Sequence, residues 1–131
     1  MANYNLQGVS PVSFIAGGSI TANRLVKADT TQGQVVVTTA ITDAPLGVAL
    51  ETASSGGLVP VQMYGKAKLT AAAAISVGAQ VMADSGGGGK IATASGATAV
   101  SCGIALEAAG ADGDIIEVQL VTPNVKGPAN S

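Results

Sequence analysis

The chain has 131 residues, a size suited to one domain, with a formal net charge of -2 and only 11% charged residues. Apolar residues reach 47%, but aromatic residues make up only 2% and histidine is absent. This composition excludes a disordered chain, histidine-based catalysis, a Cys/His zinc site and a basic or aromatic nucleic-acid surface. No apolar run approaches the roughly 20 residues of a membrane span, and the start lacks the regions of a signal peptide. We therefore expect no membrane partner, and synthesis in the cytoplasm.

The first half of the chain is predicted to be an arm followed by four strands. Residues 1–16 contain Pro11 and show no clear period, which predicts an extended N-terminal arm. Short runs rich in Val, Leu and Thr then alternate with turn residues, which favours strands. The predicted strands are Arg24–Ala28, Gln34–Thr39, Leu46–Glu51 and Leu58–Tyr64.

The second half repeats this texture after a linking strand at Gly65–Leu69. Its predicted strands are Gln80–Ala83, Lys90–Thr93, Gly103–Glu107 and Asp114–Val121. Residues 123–131 contain two prolines, a glycine and little apolar surface, so they are predicted to form a loose tail.

An internal repeat relates the two halves. The matched segments are Ile20–Asp29 with Ile75–Asp84 at a shift of 55, Gly47–Glu51 with Gly103–Glu107 at 56, and Val61–Gln62 with Val118–Gln119 at 57. Two such units are too few for a solenoid. The sequence therefore predicts one all-β domain over residues 17–122, a compact barrel or sandwich with related halves at 18–64 and 73–121.

Two groups of carboxylates are candidates for chemistry. Glu51 and Glu107 end apolar strands at matching places, and such a pair could serve glycoside hydrolysis. Sugar sites also use aromatic platforms, so two solvent-facing or Lys-paired strand ends are the favoured interpretation. The acidic segment at 112–117 lacks the spacing of a calcium loop, which favours a hairpin turn.

Three further features have simple structural interpretations. The glycine run before Lys90 lacks the phosphate-loop spacing and a following helix, so we reject a phosphate site. Cys102 has no histidine to activate it and is predicted to be a small buried side chain. Lys66 and Lys68 share one face of a strand, which is typically solvated. We expect no cofactor, no metal and no catalytic residue.

The segments Gly18–Asp29, Asp43–Glu51 and Gly103–Glu107 together resemble the small capsid decoration, or cement, proteins of tailed bacteriophages, and in particular an uncharacterised phage-associated domain. The similarity covers about residues 17–121. It implies a β-barrel or β-tulip fold, frequently a homotrimer, on the outer surface of the phage head between capsomers. It implies no enzymatic residues. Asn23 stands where the family commonly has glycine, and asparagine tolerates the left-handed conformation.

The uncharged arm is the predicted contact with the major capsid protein or a neighbouring copy. Its candidate interface residues are Leu6, Val9, Val12, Phe14 and Ile15, acting by strand addition or by wrapping. The expected role is to stabilise the shell by bridging capsid subunits, since many weak contacts give avidity. A trimeric fibre or host-surface-binding module, and an enzyme using Glu51 and Glu107, remain the alternatives.

Overall fold

Ten strands make up the regular structure of the chain. A computed structural model describes residues 11–95 and 99–125, with the backbone alone for 122–125. The strands are β1 (Val12–Ala16), β2 (Arg24–Ala28), β3 (Gln34–Val37), β4 (Gly47–Ala49), β5 (Leu58–Gln62), β6 (Gly65–Thr70), β7 (Gln80–Ala83), β8 (Ile91–Thr93), β9 (Val100–Ala105) and β10 (Ile115–Val125). The described residues contain no helix, which confirms the all-β prediction.

The strands form two five-stranded units. The first five close into a barrel in the order β1-β3-β2-β4-β5, here called the first half. The others form a sheet in the order β6-β10-β9-β7-β8, the second half. A parallel bridge between Ala71 and Ile91 connects its two edge strands, just as the parallel pairing of Ala16 with Val35 connects β1 and β3. The second half is therefore a barrel of the same strand order with an open seam between β6 and β8.

Backbone hydrogen bonds recur in the two halves at the shift seen in the sequence. Ile20 and Ala53 exchange two bonds of 2.9 Å, and Ile75 and Ala109 exchange two of 3.0 and 2.9 Å. The N–H of Leu50 donates to the carbonyl of Pro60, and the N–H of Leu106 to that of Glu117. The repeat is therefore a repeat of structure and not only of composition.

The matched glycines of the repeat have a steric cause. A Cβ on Gly47 would collide with the Gln62 carbonyl and the Val61 side chain. A Cβ on Gly103 would lie 2.6 Å from Val118 Cγ1. Each barrel brings a neighbouring strand against the start of the Gly-x-Ala-Leu-Glu segment, so a side chain is excluded there.

The two halves share a hydrophobic core. Leu25 and Val48 belong to first-half strands and are fully buried in the second-half cluster with Leu69 and Ile91. The first barrel has its own cluster around Ile20, on the other side of the same strands. β2 and β4 are covered on both faces. Each therefore has two consecutive buried apolar residues, Leu25 and Val26 in β2, and Val48 and Ala49 in β4.

The structure places strand residues in both the predicted arm and the predicted tail. Residues 12–16, placed by sequence in the arm, form β1, which pairs with β5 over Val12–Ile15 and closes the barrel. β10 continues to Val125, into the segment predicted as a tail. Residues 1–10 and 126–131 lie outside the described residues, so the arm before Pro11 and the end of the tail stay predictions.

Candidate functional site

Three of the five predicted interface residues lie on β1. Val12 is 44% exposed and Ile15 is 37% exposed, whereas Phe14 is half-buried against the first-half core. Leu6 and Val9 lie outside the described residues. Side chains alternate along a strand, so Ile15 points outward while Phe14 points into the barrel.

An apolar surface extends outward from Ile15. Antiparallel pairing sets Ile15 opposite Leu58, which is 67% exposed, and Ser13 opposite Pro60. Leu50, 38% exposed, continues the surface because its N–H donates to the Pro60 carbonyl at 2.9 Å. Residues directly opposite on one sheet face have adjacent side chains, so Leu50 and Leu58 flank one patch.

The second half presents the same two positions. Leu106 matches Leu50 and is 39% exposed, and Ile115 matches Leu58 and is 51% exposed. We call Leu50 with Leu58, and Leu106 with Ile115, the twin apolar pairs. Exposed aliphatic side chains at repeat-related positions give one chain two similar hydrophobic patches, and such patches are typical of interaction sites.

The surroundings of the twin pairs differ in charge. Beside Leu106, the Lys68 ammonium lies 3.4 Å from a Glu107 carboxylate oxygen, and both side chains are about half exposed. The Glu117 N–H, followed by the Lys68 ammonium, holds the pKa of Glu107 below its usual value. Glu107 is thus a Lys-paired strand end, as the sequence favoured, and Glu51 is exposed.

The acidic segment forms a turn, which agrees with the favoured prediction. Asp114 accepts hydrogen bonds from the N–H groups of Gly110 and Ala111, at 2.8 and 3.2 Å. Asp112 pairs with the Lys90 ammonium at 2.8 Å. Over residues 11–95 and 99–125, no group of three or more His, Cys, Asp or Glu side chains is placed to hold a metal ion.

The thiol of Cys102 is buried, as predicted. Its sulfur lies 3.7 Å from the Val81 carbonyl oxygen, and burial raises the pKa of the thiol to about 12. Such a thiol is not a nucleophile at neutral pH. No helix in the described ranges is long and apolar enough to cross a membrane.

The glycine run joins the two halves, which the sequence did not indicate. The Gly89 carbonyl accepts from the Leu25 N–H at 2.7 Å, and the Gly89 N–H donates to the Thr38 carbonyl at 3.2 Å. The Gly88 carbonyl accepts from the Arg24 guanidinium at 2.8 Å. These loop groups therefore bond to the first half.

An uncharged groove opens where the halves meet. Its volume is about 360 Å³. It is lined by Leu25, Pro45, Leu46, Gly47, Met63, Tyr64, Cys102, Leu120 and Val121. With no charged side chain and no accessible nucleophile in its lining, it offers packing surface rather than catalytic groups.

Comparison with known proteins bears on this arrangement. The sequence matches a family described as phage cement protein over residues 12–120. The chain belongs to the phage cement protein family. This match begins at β1 and includes nearly all of both halves. The family therefore corresponds to the two halves together and not to one of them.

A solved structure shares the fold. The cement protein is similar to the N base of head fiber gp8.5 of bacteriophage phi29, with a TM-score of 0.68 and 19% identity. The similarity covers 90% of this chain and 98% of that one. Comparison with curated proteins gave no match. A cement protein is a structural component of the phage head, which confirms the family resemblance seen in the sequence.

Proposed function

We propose that this cement protein decorates the outer surface of the phage head and stabilises the shell by bridging neighbouring subunits of the major capsid protein. The twin apolar pairs carry the proposal. One chain holds two exposed, repeat-related aliphatic patches. A capsid is itself a repeating surface, so two similar patches on one rigid body suit two equivalent sites on adjacent subunits.

Valency supplies the strength in this scheme. Linking two weak contacts makes the second one intramolecular and raises overall affinity by about 10²–10⁴-fold. Each pair is small and needs no reactive group. The proposed role is structural and non-enzymatic.

The arm and self-association complete the proposal. Residues 1–10, with Leu6 and Val9, would add a further contact to the shell or to a neighbouring copy. A homotrimer, made in the host cytoplasm before attachment, would multiply the number of contacts again. Deleting residues 1–10 leaves β1 intact, so weaker binding of that variant to heads would come from the arm itself.

The experiment compares the twin pairs directly. Undecorated heads are titrated with the wild-type chain, with Leu58→Asp, with Ile115→Asp and with the double variant. We expect each single variant to bind about 10²-fold more weakly or worse, since one patch remains, and the double variant to lose binding. Tyr64→Asp is the matched control, because Tyr64 is 52% exposed and lies outside both pairs. A double variant that binds as the wild type does would overturn the proposal.

A fibre or host-surface-binding module is the second candidate. The observation in its favour is the fold shared with a head fiber base. The two candidates differ in what the isolated chain binds. Binding to host cells or their surface glycans, with no affinity for undecorated heads, would favour this second candidate.

A further inference from the structure

The first half packs on the second by entering its open seam. Asn23 and Leu25 stand between Thr70 on β6 and Gly89 before β8. The N–H and the hydroxyl of Thr70 both donate to the Asn23 carbonyl, at 3.0 and 3.1 Å. The Leu25 N–H donates to the Gly89 carbonyl at 2.7 Å. Asn23 and Leu25 thus take the backbone hydrogen bonds that β6 and the segment before β8 would form with each other in a closed barrel.

The second half carries the same docking surface, uncovered. Val48, fully buried at the junction, corresponds to Ile104, which is 37% exposed. Asn23, with a φ of 65°, corresponds to Gly78, with a φ of 87°. We define the β7–β9 face as Val77, Gly78, Gln80 and Ile104, all of which are exposed. The second half covers Val48, but no part of the described chain covers this face.

The first half carries the matching receiving surface, also uncovered. Thr70, 5% exposed, corresponds to Ile15 at 37%. We define the β1 surface as Ile15 and Gly33, which are both exposed, and Gly33 corresponds to Gly89.

We propose that the β7–β9 face of one copy packs on the β1 surface of a second copy, in the arrangement that joins the halves within each chain. The occupant of each surface is therefore another copy of this protein. The contact is head-to-tail, since two different surfaces meet, and it extends the internal repeat from one chain to the next. This deepens the self-association in the proposed function by naming the surfaces.

One hydrogen bond is exchanged when the contact forms. In the isolated chain the Ile15 N–H donates to the Gly33 carbonyl at 3.1 Å and closes the first barrel. In the second half this bond is replaced by the bonds of Thr70 and Gly89 to the inserted strand. The copy whose β7–β9 face docks likewise offers the Gly78 carbonyl and the Gln80 N–H, so both groups freed by opening gain partners.

The contact leaves the twin apolar pairs free. Leu50 remains 38% exposed beside the fully buried Val48, and Ile115 remains 51% exposed opposite the buried Thr70. By the same geometry, Leu106 stays exposed when Ile104 is covered, and Leu58 when Ile15 is covered. Self-association and capsid binding therefore use adjacent but separate surfaces.

Sedimentation of purified chains without capsid tests the proposal. We expect the wild type to form oligomers and Ile104→Glu or Ile15→Glu to weaken self-association about 30-fold or more, as for a central interface residue. Each variant keeps one intact surface. An equimolar mixture should therefore form a 1:1 heterodimer through one wild-type contact, which a symmetric interface cannot produce.

Leu106→Glu and Leu58→Glu are the controls, because Leu106 is exposed two residues after Ile104 and Leu58 is exposed opposite Ile15, and both should leave oligomers intact. Circular dichroism checks folding, and Ile104→Ala with Ile15→Ala replace any charged variant that fails to fold. A monomeric wild type, unaffected oligomers in the Ile104 or Ile15 variants, or no heterodimer on mixing would each overturn the proposal. The experiment does not measure capsid binding. If the self-association proposal fails, the proposed attachment to the head is therefore unaffected.

Discussion

Gly89→Ala tests how the two halves are joined. Gly89 has a φ of 73°, and a Cβ there would lie 2.7 Å from the Leu25 carbonyl oxygen and 2.8 Å from Arg24 Cβ. Neither atom is the end of a flexible side chain, so the loop must withdraw. Withdrawal breaks the bonds to Leu25 and Thr38, and each buried group left without a partner costs about 1–3 kcal/mol.

Gly33→Ala is the matched control at the repeat-related position. Gly33 has a φ of 81°, but a Cβ there would meet nothing within 4 Å. It therefore carries only the left-handed backbone penalty of about 1–2 kcal/mol. Adding the lost bonds, we expect Gly89→Ala to lower the free energy of unfolding by about 3–5 kcal/mol.

Urea denaturation followed by circular dichroism measures both variants. The predicted difference of about 2–3 kcal/mol between them is well above the error of linear extrapolation when the two slopes agree. Equal losses in the two variants would refute the reasoning, because they would mean that the glycine run is needed only for its own turn.

Three further predictions concern other parts of the chain. Asp43→Asn should lower stability at neutral pH by about 1.5 kcal/mol, since the carboxylate accepts from two backbone N–H groups and pairs with Lys27 at 3.0 Å. Burial alone would raise the pKa of Asp43, but these bonds and the ammonium hold it below its usual value. The contribution is therefore present above about pH 4 and lost as pH falls through the folded-state pKa, so wild type and variant should converge in urea midpoint in acid. Cys102 should react with a thiol reagent at pH 8 only after urea unfolds the chain, and fast labelling of the native chain would contradict its burial. Ile20→Ala and Ile75→Ala should each cost about 2–5 kcal/mol in the same assay, because both are 1–3% exposed at repeat-related positions, and a large inequality would argue against equivalent cores.

Much of the fold was predictable because its constraints are local. The bounds of β2 and β7 agree with the sequence prediction, since each is a short apolar run between turn residues. The repeat was visible because Gly47 and Gly103 meet the same steric limit in both barrels. Because the same steric limit applies in both halves, glycine stands at both positions.

The parts that sequence missed depend on distant partners. β1 is a strand because it pairs with β5, more than forty residues later in the chain. The sequence near Pro11 contains no local pattern that indicates this pairing. The glycine run is likewise explained only by its contacts with β2.

The candidate surface was missed for a related reason. Leu58 and Ile115 are the first residues of β5 and β10, and each is followed directly by a buried aliphatic residue, Val59 or Ile116, so the local pattern does not separate core from surface. Ile15 was among the predicted interface residues because the arm as a whole is uncharged, whereas Leu50 follows β4 and Leu58 lies on β5.

Electron cryo-microscopy of heads decorated with this protein tests whether one chain bridges two capsid subunits. We expect density on the outer surface in which one chain spans two neighbouring capsid subunits, with Leu58 facing one and Ile115 the other. Density confined to a single subunit, or heads that bind no copy at saturating concentration, would contradict it.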